Sequence, residues 1–262
     1  IGWEWLRRLG VIERSYPELQ TMINTPQEPE WHPEGDVWTH TMLCLDKAQE
    51  LIKADSTLTD EERLQVFVGV LCHDLGKPPT TQVIEKNGVT RIRSLGHQEA
   101  GEEPTVSLCC KWTFNAAIIH AAKMITLNHL RPGELWIKEH KGELAEEAYA
   151  NAIRKMFKRI FPLSWHVLLI AAEADYRGRT LPDVQTGPYL HGDRFRELVQ
   201  TFILVEEAAT PLLHVRDLIE ELDLKPGKHL GELLRAVENM RDEGKIKTRE
   251  EALAYIKEVL SH

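Results

Sequence analysis

The sequence predicts an all-α protein interrupted by one β-hairpin, and three observations carry that prediction. Apolar residues recur at three- and four-residue intervals through most of the 262 residues, the mark of helices with one face toward a core. Glycine, proline and short polar residues punctuate these segments where helices stop. Only TTQVIEKNGVTRIRS alternates with a two-residue period, and Asn87-Gly88 divides it, the signal for a short hairpin closed by a type I′ turn.

Taken in chain order, helices are predicted over 3–10, 38–54, 59–76, 97–111, 114–128, 143–161, 164–175, 191–208, 228–242 and 248–260. In WHPEGDVWTHTMLCLDKA, His40 lies early in an amphipathic helix whose apolar residues include Leu43 and Leu51. In EERLQVFVGVLCHDLG, Leu64, Val68, Leu71 and Leu75 mark the core face. Gly76 suits the left-handed position that closes a helix and Pro78 cannot continue one, so His73 and Asp74 are carried inward to its buried end. The hairpin ends just before His97 and is expected to act as an arm that positions it. In NAIRKMFKRIF, Ile153, Met156, Phe157 and Ile160 face inward, leaving Arg154, Lys155, Lys158 and Arg159 as one cationic stripe. LLIAAEADYRGRT sets Asp175 at the end of a strongly apolar helix, and Gly178 allows a sharp chain path between Arg177 and Arg179. A boundary is expected near Ala209 to Pro211, dividing a main domain, 1–209, from a leucine-rich, charged helical tail, 210–262. Internal repeats and low-complexity tracts are absent from the sequence.

Composition narrows the function classes. A hydrophobic content of 42% is ample for a core without staples. A formal net charge of -9 argues against a chain that coats nucleic acid, because such binding neutralises phosphates with Lys and Arg. Cys44, Cys72, Cys109 and Cys110 form no CxxC pair, which favours reduced, mostly buried thiols and a cytoplasmic setting. No apolar run approaches the roughly 18 residues of a membrane span, so a soluble protein with no membrane partner is expected. The first residue is Ile1, not methionine, and it enters helix-like sequence at once, which suggests a missing upstream part.

The stretch LCHDLGK poses the functional question. A buried His-Asp pair is either a histidine hydrogen-bonded to its neighbour or part of a metal site, since imidazole and carboxylate together suit first-row divalent ions. His40, His73, Asp74 and Asp175 supply two imidazoles and two carboxylates, three of the four at or near a helix end. Each alone reads as structural; together they are less easily set aside.

The order His, His-Asp, Asp on an all-helical chain resembles the HD-domain metal-dependent phosphohydrolases. LGVIERSYPELQTMINTPQEPEWHPEGDVWTHTMLCLD, CHDLGK, LGHQEAG and EADYRGR are similar to the HD portion of the bacterial multifunctional CCA tRNA nucleotidyltransferases, over most of residues 5–200. LIEELDLKPGKHLGELLRAVENMRDEGKIKTREEALAYIKEVL is similar to their C-terminal segment. The glycine-rich motif and paired aspartates of their catalytic head have no counterpart here, so the chain is not expected to add nucleotides by itself.

The resemblance implies an HD-domain helical bundle with His40, His73, Asp74 and Asp175 as core metal ligands, and His97 and His129 as further ligands where two ions are held. One or two divalent ions are implied, with Mg, Mn, Ni, Co, Fe and Zn not distinguished. Asp74 can bridge the ions, and Asp74 and Lys77 are the expected catalytic residues. Lys77, Arg177 and Arg179 are candidates for binding substrate phosphate. Plainer readings stand beside these: a capping role for His97, a surface lysine at 77, and salt bridges for the two arginines. His120 reads as a core histidine and His32 as a residue that either supports a metal ligand from behind or fixes a loop. The implied activity is hydrolysis of small phosphate esters, with 2′,3′-cyclic nucleotides and 2′-nucleotides foremost, by metal-activated water. The alternatives are an RNA-binding or scaffolding half of a tRNA-processing enzyme with a structural metal site, and a nucleoside triphosphate hydrolase. The implied partners are the phosphate-ester substrate, tRNA along the cationic stripe, and a missing or separate nucleotidyltransferase head.

Overall fold

A computed structural model of the chain describes residues 2–86, 88–201 and 211–261. Three short helices, α1 (Gly2–Arg8), α2 (Val11–Ser15) and α3 (Pro17–Gln20), lead to α4 (Val37–Ala54), α5 (Asp60–Cys72) and α6 (Lys77–Thr80). The hairpin β1 (Thr81–Lys86) and β2 (Val89–Ser94) follows, then α7 (His97–Ala100), α8 (Glu102–Lys111), α9 (Ala116–Asn128) and α10 (Arg131–His140). The remainder is α11 (Glu146–Ile160), α12 (Trp165–Gly178), α13 (Pro182–Thr186), α14 (Leu190–Thr201), α15 (Val215–Leu222), α16 (Lys228–Asp242) and α17 (Arg249–Ser261). The all-α class with a single hairpin is thus as the sequence predicts. Among the described residues, no helix is long and apolar enough to cross a membrane.

Two compact units are distinguished, Ile1–Glu134 with Ile160–Asp193, and Leu135–Arg159 with Arg194–His262. In the first, α4, α5, α9 and α12 form the core. Asp36 caps α4 by accepting from the Thr39 N–H, and Thr59 and Glu62 form a reciprocal capping box on α5, so both helices begin where their unpaired N–H groups find side-chain acceptors. In the second unit, α11 buries Tyr149, Ile153, Met156 and Phe157, while α15 to α17 close around Leu218, Leu230, Val237, Ala252 and Ile256. The sequence-expected boundary falls at Ala209 and Thr210, which lie outside the described residues, as does 202–208 of the predicted 191–208 helix.

Several local expectations are corrected. The predicted 59–76 helix stops at Cys72; residues 73–76 form a turn, and Lys77, Pro78 and Pro79 open α6, where proline lacks only an N–H that the first turn leaves unpaired. Gly76 is right-handed, with φ −87°. A glycine is needed there for space: a Cβ would stand 1.9 Å from the His97 carbonyl oxygen and 2.4 Å from the Gly101 nitrogen. Gly178 likewise ends α12 rather than bending the chain, and a Cβ on it would meet Cys44 Sγ at 2.3 Å, so it lets α12 approach α4. Leu64 is exposed, and the buried stripe of α4 runs through Val37, Trp38, Thr41, Cys44, Leu45 and Ala48 rather than Leu43 and Leu51. The hairpin pairs Thr81 with Ser94 and Lys86 with Val89, leaving a two-residue loop in which Gly88 has φ +73° and Asn87 lies outside the described residues.

Candidate metal centre

Six side chains meet where helices begin or end. His40 comes from the first turn of α4, His73 and Asp74 from the turn after α5, His97 from the start of α7, His129 from the cap of α9, and Asp175 from the last turn of α12. All six are buried. A helix end leaves carbonyls without intrahelical partners, and two of these histidines use them. His73 Nδ1 donates to the Val70 carbonyl at 2.6 Å and His129 Nδ1 to the Thr126 carbonyl at 2.9 Å. His97 Nδ1 does the same to Ser94, the last residue of β2, at 2.8 Å, which is how the hairpin holds that ring. A carbonyl can only accept, so Nδ1 carries a proton in all three, and each of these rings, when neutral, presents a bare Nε2 to the centre.

Asp74 lies between two sets of imidazoles. Its Oδ2 is 3.2 Å from His73 Nε2 and 3.8 Å from His40 Nε2; its Oδ1 is 3.6 Å from His97 Nε2 and 3.9 Å from His129 Nε2. Asp175 Oδ1 closes the first set, 2.9 Å from His40 Nε2 and 3.6 Å from His73 Nε2. The ligand-type atoms of His40, Cys44, His73 and Asp175 lie within 4.8 Å of one another, as do those of Asp74, His97 and His129. Both Asp74 oxygens, His73 Nε2 and His97 Nε2 are buried without a hydrogen bond. Lys77 Nζ is 2.7 Å from Asp74 Oδ2, but as an ion pair that is not aligned as a hydrogen bond. Buried polar atoms are nearly always paired, so orphaned lone pairs converging on one place fit a divalent cation with N and O ligands.

The charges within the centre are strongly coupled. Burial alone would raise the carboxyls of Asp74 and Asp175, yet His73 and the Lys77 ammonium hold Asp74, and hydrogen bonds from His40 and His73 hold Asp175, well below the usual carboxylate range. Burial opposes a charged His73, but the two carboxylates outweigh it and lift this ring to about 10. Burial wins at His129, lowered to about 3, and also lowers His97, so these rings stay neutral.

The HD-domain family model matches residues 37–179, the segment that carries all six side chains. The chain belongs to the HD-domain family. Curated relatives carry the same description, multifunctional CCA protein. That of Pasteurella multocida is 32% identical over 69% of this chain and 39% of its own length. That of Thioalkalivibrio sulfidiphilus is 28% identical over 89% of this chain and 49% of its own, and that of Acinetobacter baumannii 26% identical over 89% and 48%. The chain thus spans about half the length of the relatives it matches, or less.

The remaining residues suggested by the HD resemblance fall differently. Lys77 is buried rather than a surface lysine, held between Asp74 and the Gln27 Oε1 at 2.7 Å. Arg177 donates from Nε to Glu173 at 2.8 Å and from Nη1 to the Gly187 carbonyl at 3.0 Å, so its fork holds the α13 segment and fits the salt-bridge reading. Arg179 stacks its guanidinium 5.7 Å from the Tyr176 ring centroid, and its Nε has no hydrogen bond. His120 is half-buried rather than in the core, with Nε2 donating to the Ile160 carbonyl at 3.0 Å. His32 Nδ1 donates to Glu34 Oε1 at 2.8 Å, the same oxygen that His40 Nδ1 contacts. The stripe on α11 is partly neutralised: Lys158 pairs with Glu238 at 2.5 Å and Asp242 at 3.1 Å.

Sequence reasoning missed Glu34, Gln27 and Cys44. Cys44 Sγ lies 3.3 Å from His40 Nε2, and the i, i+4 spacing of the two residues was a signal available in the sequence. Burial and the nearby carboxylates push its thiol well up, so it stays protonated. Gln27 and Glu34 sit in a proline-rich loop with no periodicity to mark them.

Proposed function

We propose that this HD domain is a metal-dependent phosphohydrolase acting on small phosphate esters, with 2′,3′-cyclic nucleotides and 2′-nucleotides as the substrate class. The observation that carries the reading is the division of Asp74, whose Oδ2 faces His40 and His73 while Oδ1 faces His97 and His129. A carboxylate so placed suits a bridge between two ions, His40, His73 and Asp175 completing one site and His97 and His129 the other. Divalent ions held there would supply a water of lowered pKa and polarise a phosphoryl oxygen. Lys77 keeps a fixed cation beside Asp74, at the edge where phosphoryl charge builds, without needing to reorganise. Arg179 offers a guanidinium next to Asp175 for a non-bridging oxygen. The name shared by the relatives suggests tRNA as a partner, and their greater length suggests a nucleotidyltransferase portion that acts with this one. We further place the division between the phosphohydrolase domain and the tail at 209/210.

Elemental analysis of the purified protein, beside assays on 2′,3′-cyclic AMP and an aryl phosphate, tests this. His73→Ala and Asp74→Ala are expected to lose bound metal and hydrolysis while helical circular dichroism persists. Full hydrolysis by the metal-free double variant would overturn the proposal.

A further inference from the structure

Glu34 is a carboxylate outside the centre that is engaged through both of its oxygens. Its side chain is 1% exposed, although it belongs to a loop without regular structure. Oε1 accepts from two rings at once, His32 Nδ1 and His40 Nδ1, each at 2.8 Å. Oε2 accepts from the Thr180 N–H at 3.1 Å and lies 3.5 Å from its hydroxyl. The loop before α4 and the segment after α12 are therefore joined through one side chain, directly behind the two residues, His40 and Asp175, that those helices bring together at 2.9 Å.

The chemistry of that contact is one-directional. A carboxylate accepts and cannot donate, so His40 must carry a proton on Nδ1 while the contact lasts. His40 is alone among the four imidazoles in having a charged acceptor there; the other three use backbone carbonyls. Unlike His73 and His129, it does not stand at a helix C-terminus, where carbonyls lack intrahelical partners. The other ring nitrogen, Nε2, is itself in hydrogen-bond contact with Asp175 Oδ1 at 2.9 Å, so two carboxylates compete for the proton of a neutral ring; without Glu34 that proton would sit on Nε2, donated to Asp175, and the lone pair facing the centre would be lost.

We infer that Glu34 is the positioning residue of the centre, fixing the Nδ1 proton and ring orientation of His40 so that Nε2 remains available to a divalent ion. This rests on the metal-centre reading above. Outer partners of histidine ligands typically change metal affinity by 10- to 100-fold when removed, which sets the expected size.

The test uses the full chain and its Glu34→Ala and Glu34→Gln variants. Titration with Mn²⁺ alone is expected to show affinity falling about 10-fold or more in Glu34→Ala and less in Glu34→Gln, whose amide oxygen can still accept from Nδ1. Long-range proton–nitrogen NMR of the metal-free proteins is expected to show His40 with a protonated Nδ1 in the parent and in Glu34→Gln, and a shift of the proton to Nε2 in Glu34→Ala. An affinity unchanged within about twofold, together with a retained Nδ1 proton in folded Glu34→Ala, overturns the inference. If the parent binds no Mn²⁺, the metal reading fails, and the NMR alone decides whether Glu34 sets the His40 proton. Loss of thermal stability with the Nδ1 proton kept would make Glu34 a structural tie and also overturn it.

Discussion

Lys77 is buried, its Nζ between the Asp74 carboxylate and the Gln27 amide oxygen. Lys77→Ala is expected to leave metal content near that of the parent and to lower turnover about tenfold or more, the usual loss when a preorganised electrostatic group is removed. Metal analysis beside steady-state kinetics checks it, and equal kinetics would return the lysine to a structural role. The titrations of the centre make a second prediction for the metal-free protein. His73, raised to about 10, contributes stability that is complete below its unfolded value of 6.5 and is lost as pH rises through about 10. His129, lowered to about 3, and His32, lowered to about 4, act oppositely: the unfolded chain takes up their protons first, so stability falls as pH drops below 6.5. Asp74 and Asp175, both lowered, add stability present above 3.8 and lost in stronger acid. Urea midpoints should therefore peak near pH ~6.5, and His73→Gln should flatten the alkaline side and weaken the acid-side stability that Asp74 and Asp175 owe to that ring. His73, Asp74 and Asp175 stand out in the sequence because each lies at or near a helix end in an apolar segment, whereas His97, in the polar stretch RIRSLGHQEAG, is suggested by the family resemblance alone. The burial of Lys77 could not be read there, because Gln27, fifty residues earlier, supplies half of it.

At the scale of the element, the centre depends on how closely helix ends can approach. Gly76 and Gly101 pack backbone against backbone, and a Cβ on Gly101 would meet Thr126 Cγ2 at 2.7 Å. Since Thr126 supplies the carbonyl for His129 and Gly76 follows Asp74 closely, one contact sets the spacing of three proposed ligands. Gly76→Ala is expected to push α7 away, costing about 1–3 kcal/mol as overpacking does, and to weaken metal binding on the His97 and His129 side first. Thermal unfolding and metal stoichiometry measure the two effects, and an Ala variant with unchanged stability would show that the backbone gives way freely. Hydrophobic periodicity revealed the long helices because it reports which face is buried. It says little about where a helix stops, so the turn after Cys72 and the break at Gly101 were hidden in continuous patterns. Helix α10 was not among the predicted helices; its Pro132 lies in the first turn, where a proline removes no intrahelical bond.

For the whole molecule, a net charge of -9 makes any contact with nucleic acid depend on a local patch, and α11 is where the sequence offers one. Its four inward residues are buried as the helical spacing requires. The cations opposite them are less available than the sequence suggests, because residues about eighty positions later return acidic side chains to the same unit. Lys158 bridges Glu238 and Asp242, so Lys158→Glu would set three carboxylates together and is expected to lower stability by about 1 kcal/mol whatever its effect on RNA. Lys155 is the better probe: it is exposed, and Glu243, a carboxylate that feels its charge, already pairs with Lys245 at 2.7 Å. If tRNA lies along α11, Lys155→Glu should weaken binding at low salt and reduce the slope of log K against log salt by about one, the effect of losing one phosphate contact. Hydrolysis of 2′,3′-cyclic AMP should be unchanged, because the six side chains of the centre belong to the other unit. Filter binding across a salt series measures the first effect and the hydrolysis assay the second. A parent chain that retains no tRNA at low salt would leave α11 with acidic partners of its own chain and confine the protein to small esters.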